Sequence, residues 1–261
     1  MNREHISFSE LKIWNDCAYK HKLTYIDEVK RFIGNEYTAF GKAIHDTCEK
    51  SVLSGSAINQ KTYFTHRFLK EIQDLFEKGV EMDKKLLKDM KLQAEGLVGY
   101  IIPELKKYFG NYEVISAEED LYLPIEGLEH KYKGYIDLVL KTQEGKYHII
   151  DWKTCSWGWD SRRKNDSMTT YQLTYYKNFF AKKHGIDLND IETYFALLKR
   201  TAKNNKVEIF KVPTGKKKIE NSLKLLNKAV YNIKNKRYIK NRLSCTSGYG
   251  CEFYNTQHCS G

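Results

Sequence analysis

Apolar and polar positions along this chain follow two periods, a helical one at the start and a strand-like one in the middle. Behind the start Ser7-Phe8-Ser9, with Glu10 in the first turn, Leu11, Trp14 and Ala18 form an apolar helical stripe that takes in Cys17. A second helix is predicted over residues 38–53, and two longer, strongly charged ones near 60–79 and 83–109. In the last of these Leu86, Met90, Ala94, Leu97 and Ile101 recur at helical spacing and read as core packing. Strand character begins at Tyr112 and passes through Val114-Ile115, Glu118-Glu119 and Leu121-Tyr122-Leu123. Further on the pattern predicts a mobile connection at 156–165, a helix over 168–183, strands at 193–198 and 207–212 around a basic turn, and a last helix over 216–236.

The stretch around which the chain is organised is a predicted β-hairpin, with arms 132–140 and 146–152 and the turn Thr142-Gln143-Glu144-Gly145. A turn centred on Glu144 sets Asp137 directly across from Asp151, since each is seven residues from the centre. Directly opposed residues have Cβ atoms about 5 Å apart. Two carboxylates held that close on otherwise apolar arms repel unless a cation lies between them, and Mg²⁺ or Mn²⁺ prefer such oxygen donors. Alternation puts Lys153 on the same face as Asp151, where it can orient a water or neutralise a phosphate. Taken singly, each of these residues could simply end a strand or face solvent.

Composition narrows the partner. In 261 residues Lys and Arg number 44 against 33 Asp and Glu, a net charge of +11. That balance favours a polyanion, nucleic acid before membrane. The 19 Tyr add aromatic faces that can stack bases. No apolar run approaches a membrane span and the first residues lack an apolar signal core, so the expected location is cytoplasmic, or a host cytoplasm if the chain is phage-encoded. In a reducing compartment the six Cys are candidates for metal binding, not for a disulfide framework.

Two helical pairs gain meaning beside the hairpin. Gly41 and His45 are four apart; the glycine is expected to admit a close backbone, and His45 to add an imidazole to the carboxylates. Gln172 and Tyr176 are also four apart, on the helix after the hairpin, where Gln172 can touch a phosphate or a water. Gly41-Lys42 is not a phosphate-binding loop, because Ala43 follows where Ser or Thr is required, so any helicase partner is a separate chain.

Taken in order, Gly41…His45, a Glu at 118 or 119, Gly134-x-x-Asp137, Asp151-x-Lys153 and Gln172-x-x-x-Tyr176 resemble the motifs of the PD-(D/E)XK nucleases. The similarity runs nearest to the RecB-like exonucleases, the branch that includes the AddB nuclease domain and the CRISPR-associated iron–sulfur nucleases; Ser9-x-Leu11 followed by Cys17 is similar to its N-terminal helix. The resemblance implies an α/β fold: a restriction-endonuclease-like mixed central sheet flanked by helices, with a helical N-terminal portion. One nuclease domain is expected over 1–261, with that helical portion at 1–110, a catalytic core at 111–212 and a C-terminal helix and Cys-bearing tail at 213–261.

It further implies that Asp137 and Asp151 ligate Mg²⁺ or Mn²⁺ with the Trp152 carbonyl and His45. Lys153 would position or help deprotonate the attacking water, Gln172 would hold substrate or water, and Glu118, slightly ahead of Glu119, would be an outer ligand. In the iron–sulfur members one early and three late cysteines bind a [4Fe–4S] cluster, the places held here by Cys17, Cys245, Cys251 and Cys259. The late spacing is wider than the usual pattern; zinc, with His21 or His258, is the alternative, and unliganded thiols a third possibility. The function implied is a DNA exonuclease of recombination, repair or phage DNA processing, working with a separate helicase or recombination protein. A catalytically idle nucleic-acid-binding scaffold and a structure-specific or RNA-directed endonuclease are the competing readings.

Overall fold

The structure, a computed structural model, describes residues 4–29, 32–248 and 250–260. In chain order the elements are β1 (His5–Ser7), α1 (Phe8–Asp16), α2 (Ala18–His21), α3 (Glu36–Ser54), α4 (Gln60–Glu77), α5 (Lys84–Glu95), α6 (Ile101–Phe109), β2 (Tyr112–Pro124), β3 (Lys131–Thr142) and β4 (Tyr147–Cys155). There follow α7 (Ser161–Asn165), α8 (Ser167–His184), β5 (Ile191–Lys199), β6 (Val207–Lys211), α9 (Lys216–Lys234) and α10 (Leu243–Thr246). The six strands form a mixed sheet in the order β1-β3-β4-β5-β6, with β2 also paired to β3. β1–β3 and β4–β5 run parallel, and β3–β4 and β5–β6 antiparallel. This is the mixed α/β sheet, with helices ahead of it, that the hydrophobic pattern and the motif order imply.

By its contacts the chain divides into two compact units. The larger comprises Ile33–Asp120 and Tyr135–Thr214. Its core is built on the even-numbered, inward residues of the strands: Leu138 and Leu140 of β3, Ile150 and Trp152 of β4, and Tyr194, Ala196 and Leu198 of β5, packed against Phe40, Ile44, Phe64, Phe68, Met90 and Leu105 of α3 to α6. Helix α8 packs on β4 and β5. The smaller unit comprises Met1–Phe32, Leu121–Gly134 and Gly215–Gly261. In it α1 packs against α9, and a small core gathers Leu23, Phe253 and Cys259 with Tyr19, Val29 and Cys251.

Local chemistry explains most boundaries. The Ser7 side chain accepts from the Glu10 N–H at 3.2 Å and starts α1. Asn35 and Thr38 form a reciprocal capping box that begins α3. Asp166 caps α8 through the Thr169 N–H.

Several expectations are corrected. Cys17 is not on the helical stripe: its backbone is extended, at φ −160°, in the break between α1 and α2, and its sulfur accepts from the Lys20 N–H at 3.4 Å. The single helix over 83–109 is two, because Gly96 ends α5 and Pro103, which has no N–H to give, sits in the first turn of α6. The connection at 156–165 is not a bare loop, since Asp160 caps the short helix α7. The C-terminal tail also has contacts that involve no cysteine: Phe253 is buried, and the Tyr19 hydroxyl donates to the His258 carbonyl at 3.2 Å.

Candidate active site

The hairpin register places the site. Leu138 pairs with Ile150, Val139 with Ile149 and Leu140 with His148, so each pair is symmetric about Glu144, as the turn chemistry predicts. The ladder stops at Leu138, one residue short of Asp137. There the Asp137 carboxylate, instead of a backbone carbonyl, takes up the neighbouring strand: its Oδ2 accepts from the Trp152 N–H at 2.7 Å. Asp151, beside it, is 1 % exposed, and Lys153 Nζ lies 2.5 Å from its Oδ2. Burial first, and repulsion by Asp137 second, push the Asp151 carboxyl up to about 6 despite Lys153 and His45. Neither Asp151 oxygen has a well-directed hydrogen bond. Oδ2 has the Lys153 ammonium beside it, whereas buried Oδ1 has no partner among the described residues and is an oxygen that a cation would complete.

Helix α3 brings the imidazole. His45 Nδ1 lies 3.5 Å from Asp137 Oδ2. Burial opposes the charged ring, but Asp137 outweighs it, and the His45 pKa is raised. The Asp137 carboxyl moves the other way: burial would raise it, but His45, Lys153 and the Trp152 N–H together hold it below its ordinary value. The expected role of Gly41 is not met. A Cβ there would meet only Thr154 Oγ1, at an ordinary 3.8 Å, so no close backbone approach requires the glycine.

Strand β2 separates its two glutamates. Glu118 has φ +54°, left-handed backbone that is rare for a side chain with a Cβ. The two adjacent side chains find different partners. Glu119 accepts from Lys183 Nζ at 2.7 Å and pairs with His184 at 2.9 Å, both at the end of α8. Glu118 instead joins His45 and Asp137, and one donor atom from each lies within 4.8 Å of the others. Desolvation, then Asp137 and Glu49, push its carboxyl up to about 7. Among the described residues this is the one group of three His, Cys, Asp or Glu donors drawn so close. Glu49 escaped the sequence reading, although it stands four residues after His45 and so on the same helical face.

The remaining candidates fall as follows. Trp152 is buried, at 1 % exposure, on the core side of β4. Gln172 Nε2 donates to the Tyr176 hydroxyl at 2.9 Å, so the pair is one unit on α8. Cys17, Cys245, Cys251 and Cys259 line one small pocket of the smaller unit. The Cys17 sulfur also accepts from the Asn241 N–H at 3.4 Å. Burial, then Cys251, Cys259 and Cys17, hold the Cys245 thiol above its usual range. Zinc through a histidine loses its partners, because His21 is spent on buried Glu10 at 2.8 Å and neither His21 nor His258 lines the pocket. Sulfurs around a tetrahedral zinc lie about 3.8 Å apart, and no three of these four come within 4.8 Å of one another.

A model of the PD-(D/E)XK nuclease superfamily matches residues 5–256. The chain belongs to that superfamily. Membership brings a nuclease fold whose enzymes use divalent metals, and it accounts for a carboxylate site on a hairpin. A crystal structure from Eubacterium rectale, described as a "Putative exonuclease", has a similar fold: TM-score 0.59 at 15 % identity, covering 94 % of this chain and 87 % of that one. A second solved structure, SSO0001, is similar at TM-score 0.40 and 12 % identity, over 88 % and 77 % of the two chains. No curated protein matches the chain. Among the described residues no helix is long and apolar enough to cross a membrane.

Proposed function

We propose that this superfamily member is an Mg²⁺- or Mn²⁺-dependent deoxyribonuclease, acting as an exonuclease in the cytoplasm in recombination, repair or phage DNA processing. The observation that carries the reading is the convergence of His45, Glu118 and Asp137 within 4.8 Å, with Asp151 beside them bearing Lys153 at 2.5 Å. Asp137, Asp151, His45 and the Trp152 carbonyl would hold the ion, with Glu118 as an outer ligand. The bound ion would stabilise charge developing on the scissile phosphate and acidify a water. Lys153, fixed against Asp151 and 5.9 Å from the Phe195 ring, would orient that water and relay its proton. Gln172, steadied by Tyr176, would hold a phosphate oxygen or the water. The exonuclease assignment draws on the order of the motifs and on what the Eubacterium rectale protein is described as.

At the other pocket the four cysteines would hold a [4Fe–4S] cluster, each thiolate supplying one ligand. A separate helicase or recombination protein would deliver DNA ends. The test is purified full-length protein with Mn²⁺ and end-labelled linear, circular and single-stranded DNA. Loss of linear substrate from its ends, with circles spared, is expected. Cleavage of circles would replace the exonuclease with an endonuclease, and no cleavage in any metal would leave an idle binding protein.

A further inference from the structure

Trp157 is 77 % exposed, whereas the other tryptophans, Trp14, Trp152 and Trp159, are at most 9 % exposed. Its segment is tied down on both sides, so the exposure is not fraying. The Ser156 carbonyl accepts from the Thr201 N–H at 3.2 Å and from the Thr201 hydroxyl at 2.7 Å. The Arg200 N–H donates to the Cys155 carbonyl at 2.9 Å, and its guanidinium to Ser156 Oγ at 3.1 Å. On the other side Trp159 is buried against Phe195, with ring centroids 5.0 Å apart. Between them Gly158 adopts φ +129°, which side chains rarely reach, and turns the chain so that Trp159 goes in while Trp157 stays out.

Arg200 links this segment to a second exposed ring. Its guanidinium lies 5.5 Å from the centroid of Tyr37, which is 53 % exposed, and Gln93 Oε1 fixes it further at 2.7 Å. Tyr37 sits on an element that carries a candidate ligand, and Trp157 just past the end of another. Trp157 lies two residues past the end of β4 and four after Lys153, at most about 14 Å along the chain. Tyr37 precedes His45 by eight residues on α3, about 12 Å at a helix's rise. Arg162 and Lys203 nearby in the chain are exposed, without an ion pair among the described residues.

We propose that Trp157, with Tyr37 and Arg200, forms a stacking platform for unpaired bases of a single DNA strand leading to the carboxylate site, an inference that rests on the nuclease reading above. A base offers a π-face to an aromatic ring or a guanidinium whatever its identity, so such a platform is sequence-tolerant. Within a duplex those faces are already covered by neighbouring pairs. The platform therefore selects strands that are unpaired over the last nucleotides before the scissile bond, and Arg162 and Lys203 supply attraction to the backbone.

The test measures binding in metal-free buffer, where no cleavage occurs, with full-length protein, a labelled oligodeoxythymidylate of about 12 nucleotides and a blunt duplex hairpin. Trp157→Ala should weaken single-strand binding roughly 5- to 150-fold and leave duplex binding within about two-fold of wild type, while Trp157→Phe keeps the single-strand affinity. The oligonucleotide should quench tryptophan fluorescence in wild type and not in Trp157→Phe. That last readout stands even if the alanine variant folds poorly. Unchanged single-strand affinity in Trp157→Ala, equal loss for both probes, or quenching that persists in Trp157→Phe would overturn the platform and point to Trp157 as a protein contact. Because binding is read without metal, absence of Mn²⁺-dependent cleavage would fail the nuclease reading and leave this result standing.

Discussion

Lys153 Nζ lies 2.5 Å from Asp151 Oδ2, two residues away on one strand face, and still the Asp151 carboxyl is held up at about 6. One ammonium does not offset the burial and the neighbouring Asp137. Asp151→Asn should therefore abolish cleavage and yet stabilise the metal-free protein. The folded pKa is above the ordinary 3.8, so between about 4 and about 6 the folded state binds more protons than the unfolded one, and wild-type stability falls as pH rises through that window. The gain from Asp151→Asn should be absent near pH 4 and complete above pH 7, on the order of 1–3 kcal/mol or a few degrees in Tm. Thermal melts in chelator at the two pH values check it; a variant melting below wild type at pH 8 contradicts it.

Metal should compete with protons at the same groups. Asp151 at about 6 and Glu118 at about 7 are both partly protonated just below neutrality, and a cation must displace those protons. Apparent Mn²⁺ affinity should climb from pH 5.5 to 7.5 and level off above 8. Calorimetry at pH 6.5 in two buffers of different ionisation enthalpy should show net proton release. A pH-independent affinity, or no buffer dependence, would place the ion elsewhere.

Adjacent glutamates should behave oppositely. Glu118→Gln should weaken Mn²⁺ binding and cut the rate, since Glu118 is the one drawn toward His45 and Asp137. Glu119→Gln should spare both and lower stability by up to about 1 kcal/mol, through its partly exposed contacts with Lys183 and His184. Metal titration and melts of the two variants separate the cases, and equal metal loss in both would remove the distinction.

The hairpin was legible because its register follows from two local facts, a Gly-bearing turn and alternating apolar arms, and a one-residue slip would turn Asp137 and Asp151 away from each other. The choice between Glu118 and Glu119 was not legible, because neighbours on a strand face opposite sides and the side-chain pattern there does not say which side meets His45. The break at Cys17 was missed for a related reason. Cys17 lies within helical spacing of Trp14, but its sulfur caps α2 through the Lys20 N–H and also accepts from the Asn241 N–H, 224 residues away, a contact that no local pattern announces. In the charge run Arg162-Arg163-Lys164, Arg163 lies over the Trp159 ring at 4.4 Å and Lys164 pairs with Glu208, so two of three charges that read alike in sequence already have partners.

The chain ends carry the last prediction. Cys17, Cys245, Cys251 and Cys259 line one pocket, and the Lys20 and Asn241 N–H groups both donate to the Cys17 sulfur. Anaerobically purified protein should be brown, with broad absorption near about 400 nm and bound iron. Changing any of the four cysteines to Ala should bleach it and lower Tm, because ligand binding to such a site is also folding free energy. The loss should be partial. The tail is held as well by Phe253 and Cys259 on Leu23, by the Tyr19 hydroxyl donating to the His258 carbonyl at 3.2 Å, and by Asn241 Nδ2 donating to the Asp16 carbonyl at 2.9 Å. Mn²⁺ affinity at the carboxylates should survive in the bleached variants, since none of the four thiols is among the donors of that site. Colourless anaerobic protein with neither iron nor zinc by elemental analysis would refute the cluster and leave the carboxylate site untouched.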